Sequence, residues 1–81
     1  MVFGVFLGSA GESFSTDFQK GADAYERGDY ATALREWTPL AKQGDAYAQV
    51  NLGAMYSKGL GVPQDYKTAV KWQRLAAEQG N

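Results

Sequence analysis

The chain has 81 residues and a net charge of −1, so it is long enough for one domain and lacks the basic surface that binds nucleic acid. It contains no cysteine and no histidine, which excludes disulfides, the usual zinc sites and catalysis by thiol or imidazole groups. We therefore expect no metal, no cofactor and no enzymatic activity.

Residues 1–15 are a predicted N-terminal arm. Residues 2–7 are apolar and are followed by the small residues Gly8, Ser9 and Ala10, as in the back half of a secretory signal. The apolar run is too short to cross a bilayer, so we expect no transmembrane segment. The basic residues that begin a signal are missing. Two interpretations stay open: a truncated signal peptide of a periplasmic or secreted protein, or an apolar arm of a cytoplasmic one.

Helical spacing of apolar residues predicts a first pair of helices over residues 17–27 and 30–43. Thr16 can cap the first helix, Gly28 ends it, and Asp29 caps the second. The apolar face of the first helix is Phe18, Ala22 and Tyr25; that of the second is Tyr30, Ala33, Leu34, Trp37, Leu40 and Ala41.

A second pair is predicted over residues 46–58 and 66–79, with Asp45 and Asp65 as caps and a loop over residues 60–64. Gly53 lies inside the third helix, where glycine costs about 1 kcal/mol relative to alanine. We interpret it as a place where two helices approach closely. The predicted inner faces are Ala48, Leu52, Met55 and Tyr56 on the third helix, and Tyr66, Ala69, Val70, Trp72, Leu75, Ala76 and Ala77 on the fourth.

The two pairs repeat each other. Residues 29–45 and 65–81 align at an offset of 36, with seven of 17 positions identical. The helices that precede them align at an offset of 31, with Tyr25/Tyr56 and Gly28/Gly59 identical. Short connections make each pair antiparallel and let the pairs stack. The sequence thus predicts an all-α fold of two stacked helix–turn–helix units, residues 16–45 and 46–81, in a right-handed solenoid.

The second unit carries a specific set of residues: Leu52, Gly53, Tyr56, Gly59, Gly61, Val62, Asp65, Ala69, Trp72, Ala76, Ala77, Gln79 and Gly80. With this spacing it resembles a Sel1-like repeat, a relative of the tetratricopeptide repeat. The first unit is similar to the shorter tetratricopeptide form, since it lacks the Gly-x-Gly-Val loop, and first repeats are often atypical. The resemblance implies an adaptor that binds a partner protein or peptide in the groove of the solenoid.

In such repeats the first helix of each unit lines the concave groove. With Tyr25 and Tyr56 at packing positions, the resemblance implies a lining of Thr16, Gln19, Asp23, Glu26 and Arg27 from unit one, and of Tyr47, Val50, Ala54, Ser57 and Lys58 from unit two. This mixed lining suits an extended peptide or a partner helix. The alternative is that these residues are merely exposed positions of helices.

Other patterns have simpler interpretations. Trp37 and Trp72 are able to stack a ligand, but their helical phase favours core positions. Lys67, Lys71 and Arg74 form a basic stripe on the fourth helix. An acidic partner or a lipid head group would fit this stripe, and a solvated helix face is the default.

A second hypothesis concerns the outer face of the fourth helix, which carries Val70 and Leu75. Two units are fewer than the roughly three that repeat proteins need for stability. Either the chain is a piece of a longer array, or copies of it pair through this face into a homodimer or stack.

Overall fold

The computed structural model describes residues 17–80, and this part of the chain consists of α-helices joined by turns and loops, with no strand. The helices are α1 (residues 17–26), α2 (Tyr30–Lys42), α3 (Ala46–Lys58) and α4 (Tyr66–Gly80). Each described end lies within one residue of its prediction, and the all-α fold of stacked helix pairs is confirmed. The predicted arm and the Thr16 cap lie outside the described residues.

The turns between helices have the predicted chemistry. Gly28 and Gly59 adopt φ of 81° and 70°, a left-handed conformation that disfavours residues with a Cβ. The carboxylates of Asp29, Asp45 and Asp65 accept hydrogen bonds from backbone N–H groups in the first turns of α2, α3 and α4. These side chains satisfy donors that a helix N-terminus otherwise leaves unpaired.

A single cluster of buried side chains joins the first three helices, and Leu52 and Met55 of α3 are completely buried within it. The cluster comprises Ala24, Ala33, Trp37, Leu40, Ala41, Ala48, Leu52 and Met55.

Helix α4 covers this core with only a narrow strip. Ala69 and Ala76 are its buried residues, and Trp72 packs half-buried against the main cluster. The wide apolar face predicted for α4 is wrong, because four of its members are exposed: Tyr66, Val70, Leu75 and Ala77. A narrow strip of alanines lets α4 lie close to α3 but removes little apolar surface from water.

Close packing of α1 on α2 centres on the indole of Trp37. Its Nε1–H donates to the backbone oxygen of Phe18 at 3.0 Å, and its ring lies 5.5 Å from that of Phe18 and 5.8 Å from that of Tyr25. A Cβ placed on Gly21 would overlap the indole ring. The missing side chain at Gly21 therefore brings the α1 backbone directly onto Trp37.

A second glycine brings α3 onto α4. A Cβ on Gly53 would collide with Cγ of Gln73 and lie 3.1 Å from the backbone oxygen of Ala69. The interpretation of Gly53 as a point of close helix approach is confirmed.

Gln49 is a buried polar residue that the sequence analysis did not identify. Its side-chain nitrogen donates to the backbone oxygen of Ala41 at 3.0 Å, and its side-chain oxygen accepts from Gln79 at 2.9 Å. These two bonds connect α2, α3 and α4 and leave the buried amide satisfied. The available signal was its position on α3, beside Ala48 and three residues before Leu52, where the buried face lies.

Candidate binding groove

An open cavity of about 240 Å³ lies between α1, α2 and α3. Its lining consists of Phe18, Ala22, Tyr25, Glu26, Trp37, Asn51 and Ala54. Most of this lining is apolar or aromatic, and the polar side chains in it are one carboxylate and one carboxamide. The mixture is typical of a recognition pocket, in which an apolar surface supplies contact area and a few polar groups orient the bound group.

Each helix contributes to the cavity through its regular spacing. Phe18, Ala22 and Tyr25 stand at intervals of four and three along α1 and so share one face. Asn51 and Ala54 stand three apart on α3 and form the opposite wall. The third contribution is the indole of Trp37 from α2, which its hydrogen bond to Phe18 holds in place.

Among the groove residues predicted on α1, Glu26 lines the cavity. Gln19 and Asp23 are exposed and do not line it; instead the Gln19 side chain donates to the Asp23 carboxylate at 3.1 Å. Arg27 is exposed and its guanidinium lies 3.8 Å from the Asp29 carboxylate. Thr16 lies outside the described residues.

Among those predicted on α3, Ala54 lines the cavity. Tyr47 and Lys58 are exposed and stand seven residues before and four residues after Ala54 on the same face of α3. They extend that wall of the cavity in both directions along the helix. The remaining two, Val50 and Ser57, are exposed and half-buried respectively and do not line the cavity.

Five lining residues were assigned to packing or were not singled out: Phe18, Ala22, Tyr25, Trp37 and Asn51. The aromatic rings do pack against the core, but the cavity reaches them from the open side. A signal for this was present in unit one, where Gly21-Ala22 stands in place of Leu52-Gly53 of unit two. Small residues between Phe18 and Tyr25 cover little of the rings on either side.

The Glu26 carboxylate has no cationic partner within ion-pair distance among residues 17–80. Its neighbour along the chain, Arg27, pairs with Asp29 instead. Glu26 is also exposed, so its negative charge is available at the mouth of the cavity.

The face predicted for self-association is divided. Val70 and Leu75 are 48% and 38% exposed. Five positions along a helix separate side chains by about 140° around its axis. The buried strip of Ala69 and Ala76 lies opposite this 140° arc, so Val70 and Leu75 stand at the two edges of the solvent-facing side of α4.

Over the described part of the chain, no three carboxylates come close enough together to hold a metal ion. None of the helices within residues 17–80 is both long enough and apolar enough to cross a membrane.

The helix pair α3–α4 carries a similarity to a known family. The family model described as Sel1 repeat matches residues 46–81. This part of the chain is similar to a Sel1 repeat. The resemblance found in the sequence is thereby confirmed, and the Sel1 repeat is a tetratricopeptide-like helical repeat that generally mediates contacts between proteins.

Three relatives carry names of the same family. The chain is 44% identical over 41 residues to a putative sel1-like repeat-containing protein of Acanthamoeba polyphaga mimivirus. It is 42% identical over 50 residues to protein sel-1 homolog 2 of Mus musculus and of Homo sapiens. These alignments cover 51% and 62% of this chain but only 7% of each relative. No solved structure matches the chain significantly.

Proposed function

We propose that this protein is a non-enzymatic interaction module that binds a peptide segment or helix of a partner protein in the groove between α1 and α3. The observation that carries the proposal is the open aromatic cavity of about 240 Å³ between these helices. Cavities that enclose whole small-molecule ligands are usually about 300–1,000 Å³, so this one suits a single side chain of a larger partner.

The surface beside the cavity supports binding of a polypeptide. Tyr47, on the same face of α3 as Ala54, is 76% exposed, and the neighbouring Val50 is 48% exposed. Tyrosine is enriched among the residues that dominate binding energy in protein interfaces. A partner that inserts one side chain into the cavity and lies along α3 would cover Tyr47 and reach Lys58.

Selection of peptides displayed on phage against the protein, followed by affinity measurement on the selected peptides, tests this function. Two substitutions alter the groove: Ala54→Phe fills the cavity, and Tyr47→Ala removes the exposed ring. Each is expected to weaken binding about tenfold or more, as removal of an interface anchor does.

The matched control is Tyr66→Ala, which removes another largely exposed tyrosine ring, from α4, at 63% exposure. If Tyr66→Ala lowers the affinity for the selected peptides and both Ala54→Phe and Tyr47→Ala leave it unchanged, the binding surface lies on α4 and the groove is rejected.

A second candidate function is self-association through α4. It is supported by the exposure of Val70 and Leu75, together with Tyr66, one turn before Val70. Light scattering on a size-exclusion column over a range of concentrations tests it. Because Val70 and Leu75 stand at the two edges of the solvent-facing side of α4, Val70→Glu and Leu75→Glu are measured separately. An oligomer that persists in both variants would exclude this surface.

A further inference from the structure

We infer that the cavity between α1, α2 and α3 receives an arginine side chain of the partner, a statement that rests on the proposed interaction function. The inference starts from two features around one opening: aromatic rings, and a carboxylate that no described cation pairs with.

The aromatic part of the cavity suits a flat cation. The rings of Phe18 and Tyr25 each have their centre within 6 Å of the Trp37 ring, and all three residues line the opening. A guanidinium stacks on such rings through both dispersion and the attraction of a cation to the π-face. The methylene groups of the same side chain would cover the remaining apolar surface, including Ala22 and Ala54.

The polar part of the cavity specifies positive charge. Glu26 offers two carboxylate oxygens without an ion-pair partner among the described residues, and the Asn51 side chain offers a carboxamide oxygen. An acidic side chain would be repelled by Glu26. A purely apolar side chain would partly dehydrate the Glu26 carboxylate without supplying a hydrogen bond, which is unfavourable.

Arginine fits this arrangement better than lysine does. Its guanidinium is planar and presents donors in a fork that matches a carboxylate, so it can stack and pair with Glu26 at once. The ammonium of lysine is a compact, strongly hydrated charge that does not stack. The chain's own residues 1–16 contain neither lysine nor arginine, so they do not supply the arginine.

The probe is a blocked pentapeptide with arginine at its centre and alanine at the other positions. It is compared with the same peptide carrying citrulline, which has nearly the shape of arginine but no charge. Binding is followed by NMR through the amide signals of Ala22, Asn51 and Ala54 and the indole N–H of Trp37. We expect these signals to shift with the arginine peptide, and citrulline to weaken the affinity about tenfold.

Glu26→Gln removes the charge and keeps the size of the side chain. It is expected to weaken binding of the arginine peptide about tenfold and to abolish the difference in affinity between the arginine and citrulline peptides. The reason is that Glu26→Gln and the change to citrulline remove the same interaction. The control is Asp23→Asn, an equal change in charge on the exposed side of α1. It should leave the difference between the two peptides in place, which separates local pairing from the general charge of the surface.

Equal affinity for arginine and citrulline, or an unchanged difference in Glu26→Gln, would overturn the arginine pocket. Phage-selected peptides without arginine that bind the Ala54→Phe variant more weakly than the wild type would also overturn the arginine pocket. That result would leave the proposed groove function intact. A concentration-dependent oligomer that dissociates in Glu26→Gln would identify a basic residue of a second copy as the occupant and would also overturn the inference.

Discussion

At the scale of single residues, the absence of one side chain shapes the cavity. Because Gly21 has no Cβ, the backbone of α1 lies against the Trp37 indole, and the indole Nε1–H reaches the oxygen of Phe18. Glycine inside a helix costs about 1 kcal/mol relative to alanine. Contact with Trp37 explains why glycine is nevertheless suited to this position.

Gly21→Ala tests this explanation. The added methyl group overlaps a rigid ring, and overpacking of this kind costs about 1–3 kcal/mol, which the better helix propensity of alanine offsets only in part. We expect a lower free energy of unfolding in urea and a shifted NMR signal for the Trp37 indole N–H.

Gly80→Ala is the control, because a Cβ there meets no atom within 4 Å. It should leave stability unchanged or slightly higher. A Gly21→Ala protein as stable as the control would show that the indole moves aside at no cost.

At the scale of elements, the repeated sequence Asp-x-x-Thr caps both α2 and α4. The hydroxyl of Thr68 donates to the Asp65 carboxylate at 2.7 Å and its backbone N–H donates at 3.2 Å. These bonds hold the pKa of Asp65 below its ordinary value. Thr32, through its side chain and its backbone N–H, lowers the pKa of Asp29 likewise.

The lowered pKa values predict how stability depends on pH. A carboxyl group with a lowered folded-state pKa stabilises the fold fully above its unfolded pKa, near pH 4, and loses this effect as the pH falls through the folded value. Asparagine also caps helices but does not titrate. We therefore expect the wild type to be more stable than the double variant Asp29→Asn, Asp65→Asn at pH 7, with a gap that narrows below about pH 4.

Thermal unfolding of both proteins between about pH 7 and pH 2 measures this gap. The Asn variant serves as the reference that removes the contribution of all other carboxylates. A difference in stability between the two proteins that stays constant through this range would mean that the negative charges of Asp29 and Asp65 do not contribute to stability.

At the scale of the whole molecule, the helices are unequally attached. The buried cluster runs through α1, α2 and α3, whereas α4 is held mainly by Ala69, Ala76, the half-buried Trp72 and the bond from Gln79 to Gln49. Small buried surfaces give low local stability. The groove therefore lies beside the larger buried apolar cluster, and the second candidate surface lies on the helix that buries fewer apolar side chains.

This difference in apolar burial predicts that a leucine-to-alanine substitution lowers the free energy of unfolding by different amounts in α3 and in α4. Leu52→Ala in the completely buried cluster should lower the free energy of unfolding by about 2–5 kcal/mol. Leu75→Ala on α4, where the leucine is 38% exposed, should lower it by less than about 1 kcal/mol. Urea denaturation measures both.

Hydrogen exchange of the wild type provides the independent check, with faster exchange expected for amides of α4 than for those of α3. Equal protection of the two helices, together with equal costs for the two substitutions, would contradict an unequal core.

The sequence by itself determined the repeat, the helices and their caps. These features depend on residues close together in the chain: apolar side chains at helical spacing, glycines at left-handed turns, and aspartates before the first turns. The Sel1 resemblance could also be recognised from the sequence, because it depends on the spacing of residues within one unit. Of the predicted groove set, Glu26 and Ala54 line the cavity, while the binding role of the set stays a prediction.

Only the tertiary structure decided how deep each face is buried and where the faces meet. Periodicity showed that α4 has an apolar side, but not that alanine contacts with α3 leave Tyr66 and Val70 outside. It also did not reveal that Gln49 bridges three helices, or that Trp37 serves the core and the cavity together. Burial depends on the distance between helices, and that distance is set by contacts such as Gly21 on Trp37, between residues far apart in the chain.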